Sequence, residues 1–371
     1  MPHRLDETES SFRPPHCPNP RCLHHQERAG WRWVRDGTHD RQAAPHRVQR
    51  FRCRACGRGF SSQSFRTTYW LRRPDLQPRI LKQLGACAGI RQAADVLDCA
   101  NGTVMNQARR LGRHCLLFQH ATSPPRAPSE PLVLDGLRSF EFSQYWPCDL
   151  NHVTGSDTHF IEGFNLAELR RSGTMKPHQK ERREELETLH GRPDPQATRK
   201  QVETLLRRVT GGPCEFKLLS DEHQAYGKAV ERMEGWTVQH QRTSSKAPRS
   251  PRNPLWPANL LDLLVRHGGA NQKRETIAWS KRAQGMLLRM AVFQVVRNFV
   301  RGVRVRDGKR SPSPAMKKGL LTKRLSAEEV LEKRLFPGRV GLPADLQEVY
   351  EERVPTRQMA RLRRHELKYA F

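Results

Sequence analysis

The spacing of hydrophobic positions changes at about residue 131. Between 73 and 118 it is helical. Leu76, Ile80, Leu81 and Leu84 mark one helix opened by Pro74, and Ile90 to Leu97 a second one after Gly89. A third helix starts near Asn101 and runs through Leu111. Residues 121–131 are rich in proline and read as a linker and domain boundary. Past it the runs are short. Leu132 to Phe142, Leu150 to Ile161 and the segment from Gly163 predict three strands in an antiparallel meander. Residues 168–210 are charged and helical, broken at Pro193 and Pro195, and are expected to form an insertion with a solvated face. A strand at Phe216–Ser220 follows, then a helix to Val230, a short helix from Asn259 to His267, and a strongly apolar helix from Met286 to Val300. Residues 1–15 read as a flexible lead. The basic, proline-containing stretch 301–371 is expected to be a partly ordered tail with a short helix near Ala327–Leu335.

Two of the strands carry an acid where apolar residues belong. Asp135 interrupts the run Leu132, Val133, Leu134, and Asp221 ends the run that starts at Phe216. A carboxylate in a buried strand is costly unless it is paired or bound to a cation. Either aspartate alone could simply begin a turn. Two strands that bring carboxylates to one place point to a hard, oxygen-seeking ion such as Mg²⁺ or Mn²⁺. On the later helix Asn259 and Asp262 share a face at i, i+3.

The thiols change the picture at the N-terminus. Four of the nine cysteines fall in two close pairs, Cys17 with Cys22 and Cys53 with Cys56, and Gly and Pro beside them supply tight turns. This is the donor set of a tetrahedral Zn²⁺, with His16, His24 and His25 as rival ligands. The intervening Trp31, Trp33, Val34, Val48 and Phe51 predict the short strands of a zinc ribbon over residues 16–66. Four thiolates leave no open position, so the zinc is structural. The scattered cysteines read as small buried hydrophobes of a reducing compartment.

Charge then selects the partner. Lys and Arg number 66 against 38 Asp and Glu, a formal net charge of +28, which calls for a polyanion. A membrane surface is the rival to nucleic acid. The chain has no apolar run of spanning length and a polar N-terminus, which predicts a soluble cytoplasmic protein. Helix, short turn and a helix with a polar start make up helix-turn-helix order over 73–118, an order that also fits a plain helical hairpin. In the DNA-reading geometry Asn101, Thr103, Asn106 and Gln107 face base edges, while Arg109, Arg110 and Arg113 meet phosphates.

Cys53-Arg-Ala-Cys56-Gly, Leu219-Ser-Asp221-Glu-His-Gln-Ala-Tyr226 and Arg274-Glu-Thr-Ile-Ala-Trp-Ser-Lys281 together resemble prokaryotic insertion-sequence transposases of the DDE type, specifically the zinc-ribbon group. The likeness spans about residues 15–300. It implies an α+β multidomain protein: a zinc ribbon, a helix-turn-helix, and a ribonuclease H-like α/β catalytic domain with a mixed sheet over 131–300. The family's first two acids fall on Asp135 and Asp221. The third falls on Asp262, in an Asn-x-x-Asp where relatives often have Asn-x-x-Glu, or on Glu275. Asp262 lies 41 positions after Asp221 and Glu275 lies 54 after it. The resemblance implies double-stranded DNA as partner, a homo-oligomer that bridges two DNA ends, a nucleoid-associated location, and Mg²⁺ or Mn²⁺ beside the structural zinc.

Overall fold

The computed structural model describes residues 7–273 and 276–357. The chain is α+β, with a small N-terminal antiparallel sheet and a mixed sheet of five strands.

The small sheet is β1 (Trp33–Asp40), β2 (Arg47–Cys53) and β3 (Gly59–Ser61), with Trp33 opposite Cys53 and Phe51 opposite Phe60. Phe51, Phe60 and Phe65 pack with Cys17, Cys22 and Cys53 into one core. The lead is held down from residue 7 onward. Helix α1 (Glu7–Ser11) buries Glu9 completely, and its carboxylate accepts hydrogen bonds from the Gln49 amide at 3.1 Å and from Arg66 at 3.2 Å. A buried carboxylate with this many donors is a staple, so residues 7–15 are held to the small sheet and do not form a flexible lead.

Helices α2 (Leu76–Leu84), α3 (Ile90–Val96) and α4 (Asn101–Thr122) follow. The second sheet consists of β4 (Leu132–Phe140), β5 (Pro147–Gly155), β6 (Ile161–Glu168), β7 (Glu215–Ser220) and β8 (Thr237–Arg242). Its order is β6-β5-β4-β7-β8. The first three strands form the expected meander, and β7 and β8 run parallel to β4. Crossovers of this kind need helices. Two helices lie between β6 and β7, α5 (Pro177–His190) and α6 (Ala197–Thr210), and α7 (Gln224–Val230) joins β7 to β8. The segment expected as a charged insertion therefore contains a helix of the core. Val202, Leu205, Leu206 and Val209 of α6 pack under Leu132, Leu134 and Val153, while α5 buries only Leu186.

The opposite face of the sheet is covered by α8 (Trp256–Gly268) and α9 (Ala283–Val295), with α9 continuing as a π-helical turn over Val296–Val300. Here the expected boundary at 121–131 does not separate two cores. Leu111, Cys115 and Leu116 of α4 share one buried cluster with Leu137 and Leu150 of the sheet and with Leu287, Leu288 and Ala291 of α9. Gly112 lets α4 and α9 touch, since a Cβ there would lie 2.6 Å from Leu288 Cβ. Asn298 ties the layers further. Its Nδ2 donates to Gln119 Oε1 at 3.0 Å, and its Oδ1 accepts from the Ile161 amide at 2.9 Å.

The described part of the expected tail is folded. Helices α10 (Pro314–Lys317), α11 (Ala327–Val330), α12 (Pro337–Val340) and α13 (Ala344–Tyr350) return across the molecule. They contribute Ala315, Val330, Leu346 and Val349 to the main core, and Phe336 enters the ribbon core. The basic residues that made this stretch read as a tail lie between those apolar anchors. Among the described residues no helix is long and apolar enough to cross a membrane.

Candidate functional site

The four paired cysteines converge. Their sulfurs all lie within 4.8 Å of one another, with Cys17 Sγ 3.7 Å from Cys56 Sγ and Cys22 Sγ 4.0 Å from Cys53 Sγ. A tetrahedron with zinc–sulfur arms of about 2.3 Å has edges of about 3.8 Å, so the four thiols could bind a zinc ion. The turn after Cys53 needs its glycine. Gly57 has φ +69°, and its amide donates to the Cys53 carbonyl at 3.0 Å. Burial pushes the Cys53 thiol up, but the Trp31 indole N–H at 3.2 Å and the amides of Cys56 and Ala55 outweigh it and lower its pKa to about 6. Cys53 thus has the thiolate character that suits a metal ligand, while burial pushes the Cys17 and Cys22 thiols up. His25 turns its Nδ1 to the Cys17 carbonyl at 2.8 Å, and His16 packs edge-on against Phe65 and Phe336.

The second constellation lies where β4, β7 and α8 meet. Asp135 sits on β4 between Val133 and Leu137. Val133 packs against Leu255 and Ala258, and Leu137 lies in the cluster that holds Leu261 and Val265, so this face of the strand looks at α8. On the other side β4 pairs with β7 through Leu132 with Leu218 and Val133 with Leu219. Continuing that register by two residues sets Asp135 level with Asp221 at the end of β7. Asp262 lies on α8 beside the inward stripe of Ala258, Leu261 and Val265. Asp135 Oδ1 accepts from the Gly136 amide at 2.7 Å, and Asp221 Oδ1 from the His223 amide at 2.9 Å. Burial, and after it the charge of Asp262, raise the Asp135 pKa to about 6, with Asp221 adding to the rise. The three acids are therefore electrostatic neighbours, although among the described residues only the cysteines form a ligand group within 4.8 Å.

One partner of this site was not among the expected residues. His152 on β5 is directly opposite Asp135 and completely buried, and its Nε2 lies 2.7 Å from Asp262 Oδ1. A carboxylate has no proton to give, so the ring nitrogen is the donor. Burial alone would lower the His152 pKa, but the hydrogen bond to Asp262 and the charges of Asp262 and Asp135 raise it. Its sequence signal is faint: a polar residue in a strand whose two faces are both buried. Behind Gly136, on the other face, the Tyr226 hydroxyl lies 3.0 Å from where a Cβ would stand. Burial and the surrounding aspartates push that hydroxyl well above the ordinary tyrosine value. Asp149 on this face is held by Arg138 at 2.6 Å. Glu275, the other candidate third acid, lies outside the described residues.

The helical region places the residues expected to face DNA unevenly. Asn101 and Asn106 of α4 are exposed and Thr103 is half-buried, but Gln107 is buried against the core. In place of open phosphate contacts, Arg109 and Arg113 both meet the carboxylate of Glu352 from the segment after α13, Arg113 at 2.8 Å. Arg110 donates from Nε to the Thr67 carbonyl at 3.0 Å, and burial, with Arg334 and Arg113 nearby, lowers its pKa to about 10. The physical reason is the path of the C-terminal segment, which covers this stretch of α4. Cations stay open elsewhere: Lys246, Arg249 and Arg252 are exposed on the loop between β8 and α8, which starts where the Thr243 amide bonds the Ser220 carbonyl beside Asp221.

Comparison of the sequence with protein-family models and with curated proteins returns no match.

Proposed function

We propose that this protein is a DNA transposase of the DDE type that binds the ends of a DNA element and cuts and joins strands by in-line phosphoryl transfer. What supports the reading is the placing of Asp135 on β4, with Asp221 just past the end of the neighbouring β7 and Asp262 on α8, both near enough for their charges to act on it. A mixed sheet with the first acid on its central strand and the second at the end of its neighbour fits a ribonuclease H-like catalytic unit. The carboxylates suit a cation: burial, and after it the charges of Asp262 and Asp221, raise Asp135, and oxygen donors of this kind select Mg²⁺ or Mn²⁺. Such ions, held by Asp135, Asp221 and Asp262, would supply charge neutralisation at a phosphodiester and a stronger oxygen nucleophile. The chain's own residues orient the acids through the Gly136 and His223 amides, and the open Lys246, Arg249 and Arg252 draw a phosphate backbone past them.

In this reading the cysteines hold a structural Zn²⁺, and the ribbon and the exposed start of α4, with Asn101 and Asn106, hold the element ends as a helix-turn-helix would. The protein acts as an oligomer on double-stranded DNA in the prokaryotic cytoplasm. The test is incubation with supercoiled plasmid carrying candidate element ends, with Mg²⁺ or Mn²⁺ and with EDTA. Strand breaks with 3′-hydroxyl ends that need the metal support the proposal. Tight binding without breaks under any metal contradicts it and leaves a DNA-binding regulator.

A further inference from the structure

We infer that His152 is the positioning residue of the carboxylate site, holding one oxygen of Asp262 so that the other is left for the cation shared with Asp135. The inference rests on the reading of the three aspartates as a divalent-cation site. His152 is 0% exposed, in the middle of a strand with Leu150 packed into the core beside it. Its Nε2 has one partner, Asp262 Oδ1 at 2.7 Å, and its Nδ1 is buried with none. The ring bridges two elements that otherwise meet through apolar contacts, β5 below and α8 above. An aspartate χ2 torsion is broad and two-fold, so a carboxylate on a helix face rotates unless a donor fixes it. Asp262 Oδ2 makes no hydrogen bond among the described residues. Ligating carboxylates are commonly fixed by such outer partners, and their loss weakens metal binding by about 10–100-fold.

Two substitutions separate position from bulk. In His152→Gln the amide nitrogen stands the same number of bonds from Cα as Nε2 and can still donate to Asp262. In His152→Asn the amide stops at the place of Nδ1 and falls short. Mn²⁺ binding is measured by calorimetry, and metal-activated DNA cleavage by rate against Mn²⁺ concentration. The expected result is near-normal Mn²⁺ affinity for His152→Gln. For His152→Asn it is affinity weaker by about 10–100-fold, with cleavage partly recovered at high Mn²⁺ and DNA affinity unchanged. Equal Mn²⁺ affinity for wild type and folded His152→Asn overturns the positioning role while the aspartate site stands. If Asp135→Asn and Asp262→Asn take up Mn²⁺ as wild type does, the aspartate site fails and the inference with it. A reading on the unaltered protein guards against misfolded variants. In ¹⁵N-histidine spectra, Mg²⁺ should shift the His152 Nε2 resonance, and a resonance that stays still also overturns the role.

Discussion

Asp135 makes its neighbourhood sensitive to pH in a direction that can be worked out. Its pKa stands at about 6 in the folded chain, against an ordinary value of 3.8, because burial and then Asp262 disfavour its charge. Below the unfolded value the carboxyl is protonated in both states. As pH rises from about 4 through 6 the unfolded chain gives up its proton first, so stability falls across that window. Asp135→Asn removes this fall. Without divalent cations its melting temperature should overtake that of wild type between pH 4 and pH 7, a gain on the order of 1–3 kcal/mol at the upper end. Mg²⁺ should close the gap by stabilising wild type alone. A constant difference across the range would show that the carboxylate is not strained. Asp135 and Asp221 stood out as candidates in the sequence because one acid interrupts an apolar run and the other ends one. His152 did not, because its role follows from strand register and from a helix that arrives 110 residues later.

At the scale of elements, the small N-terminal sheet with its four cysteines and the returning C-terminal segment stabilise each other. Phe336 is 2% exposed, with its ring 5.0 Å from that of His16 and 5.8 Å from that of Phe65. Phe336→Ala should cost about 3–5 kcal/mol in chemical denaturation, and less once zinc has been chelated away, because the two changes loosen one core. Atomic emission should find one zinc per chain in wild type and none in Cys53→Ser, since losing one of four thiolates opens the tetrahedron. Between α4 and α9, Gly112→Ala has no room beside Leu288 and should destabilise by about 1–3 kcal/mol. Helix and strand positions were readable from period because each buries one stripe or one face. Helix α6 was misread as part of an insertion. Arg199 and Arg207 both pair with its single glutamate, Glu203, at 3.0 and 3.2 Å, and these charges mask the inward stripe from Val202 to Val209.

Across the whole molecule, the net charge of +28 pointed to a polyanion without saying which cations stay open to it. Arg109 and Arg113 face Glu352, and Arg110 is turned to a carbonyl, because 301–357 folds back as a strap. No local pattern announces that return, since its anchors, from Ala315 to Tyr350, come one or two at a time between charged stretches. Lys246, Arg249 and Arg252 are exposed on the loop that leaves the sheet beside Asp221. The combined variant Lys246→Ala, Arg249→Ala, Arg252→Ala should therefore lower the slope of log K against log salt for duplex DNA by about 0.9 for each phosphate no longer neutralised, with the fold intact. An unchanged slope would move the DNA path elsewhere. Beneath these expectations stands one claim, that three aspartates from β4, β7 and α8 hold a divalent cation. Anomalous scattering from crystals soaked in Mn²⁺ reads it out without any assumption about DNA. A manganese peak bounded by Asp135, Asp221 and Asp262, and absent in Asp135→Asn, is the expected outcome. Manganese bound only elsewhere, or an unchanged peak in that variant, would refute the cation site.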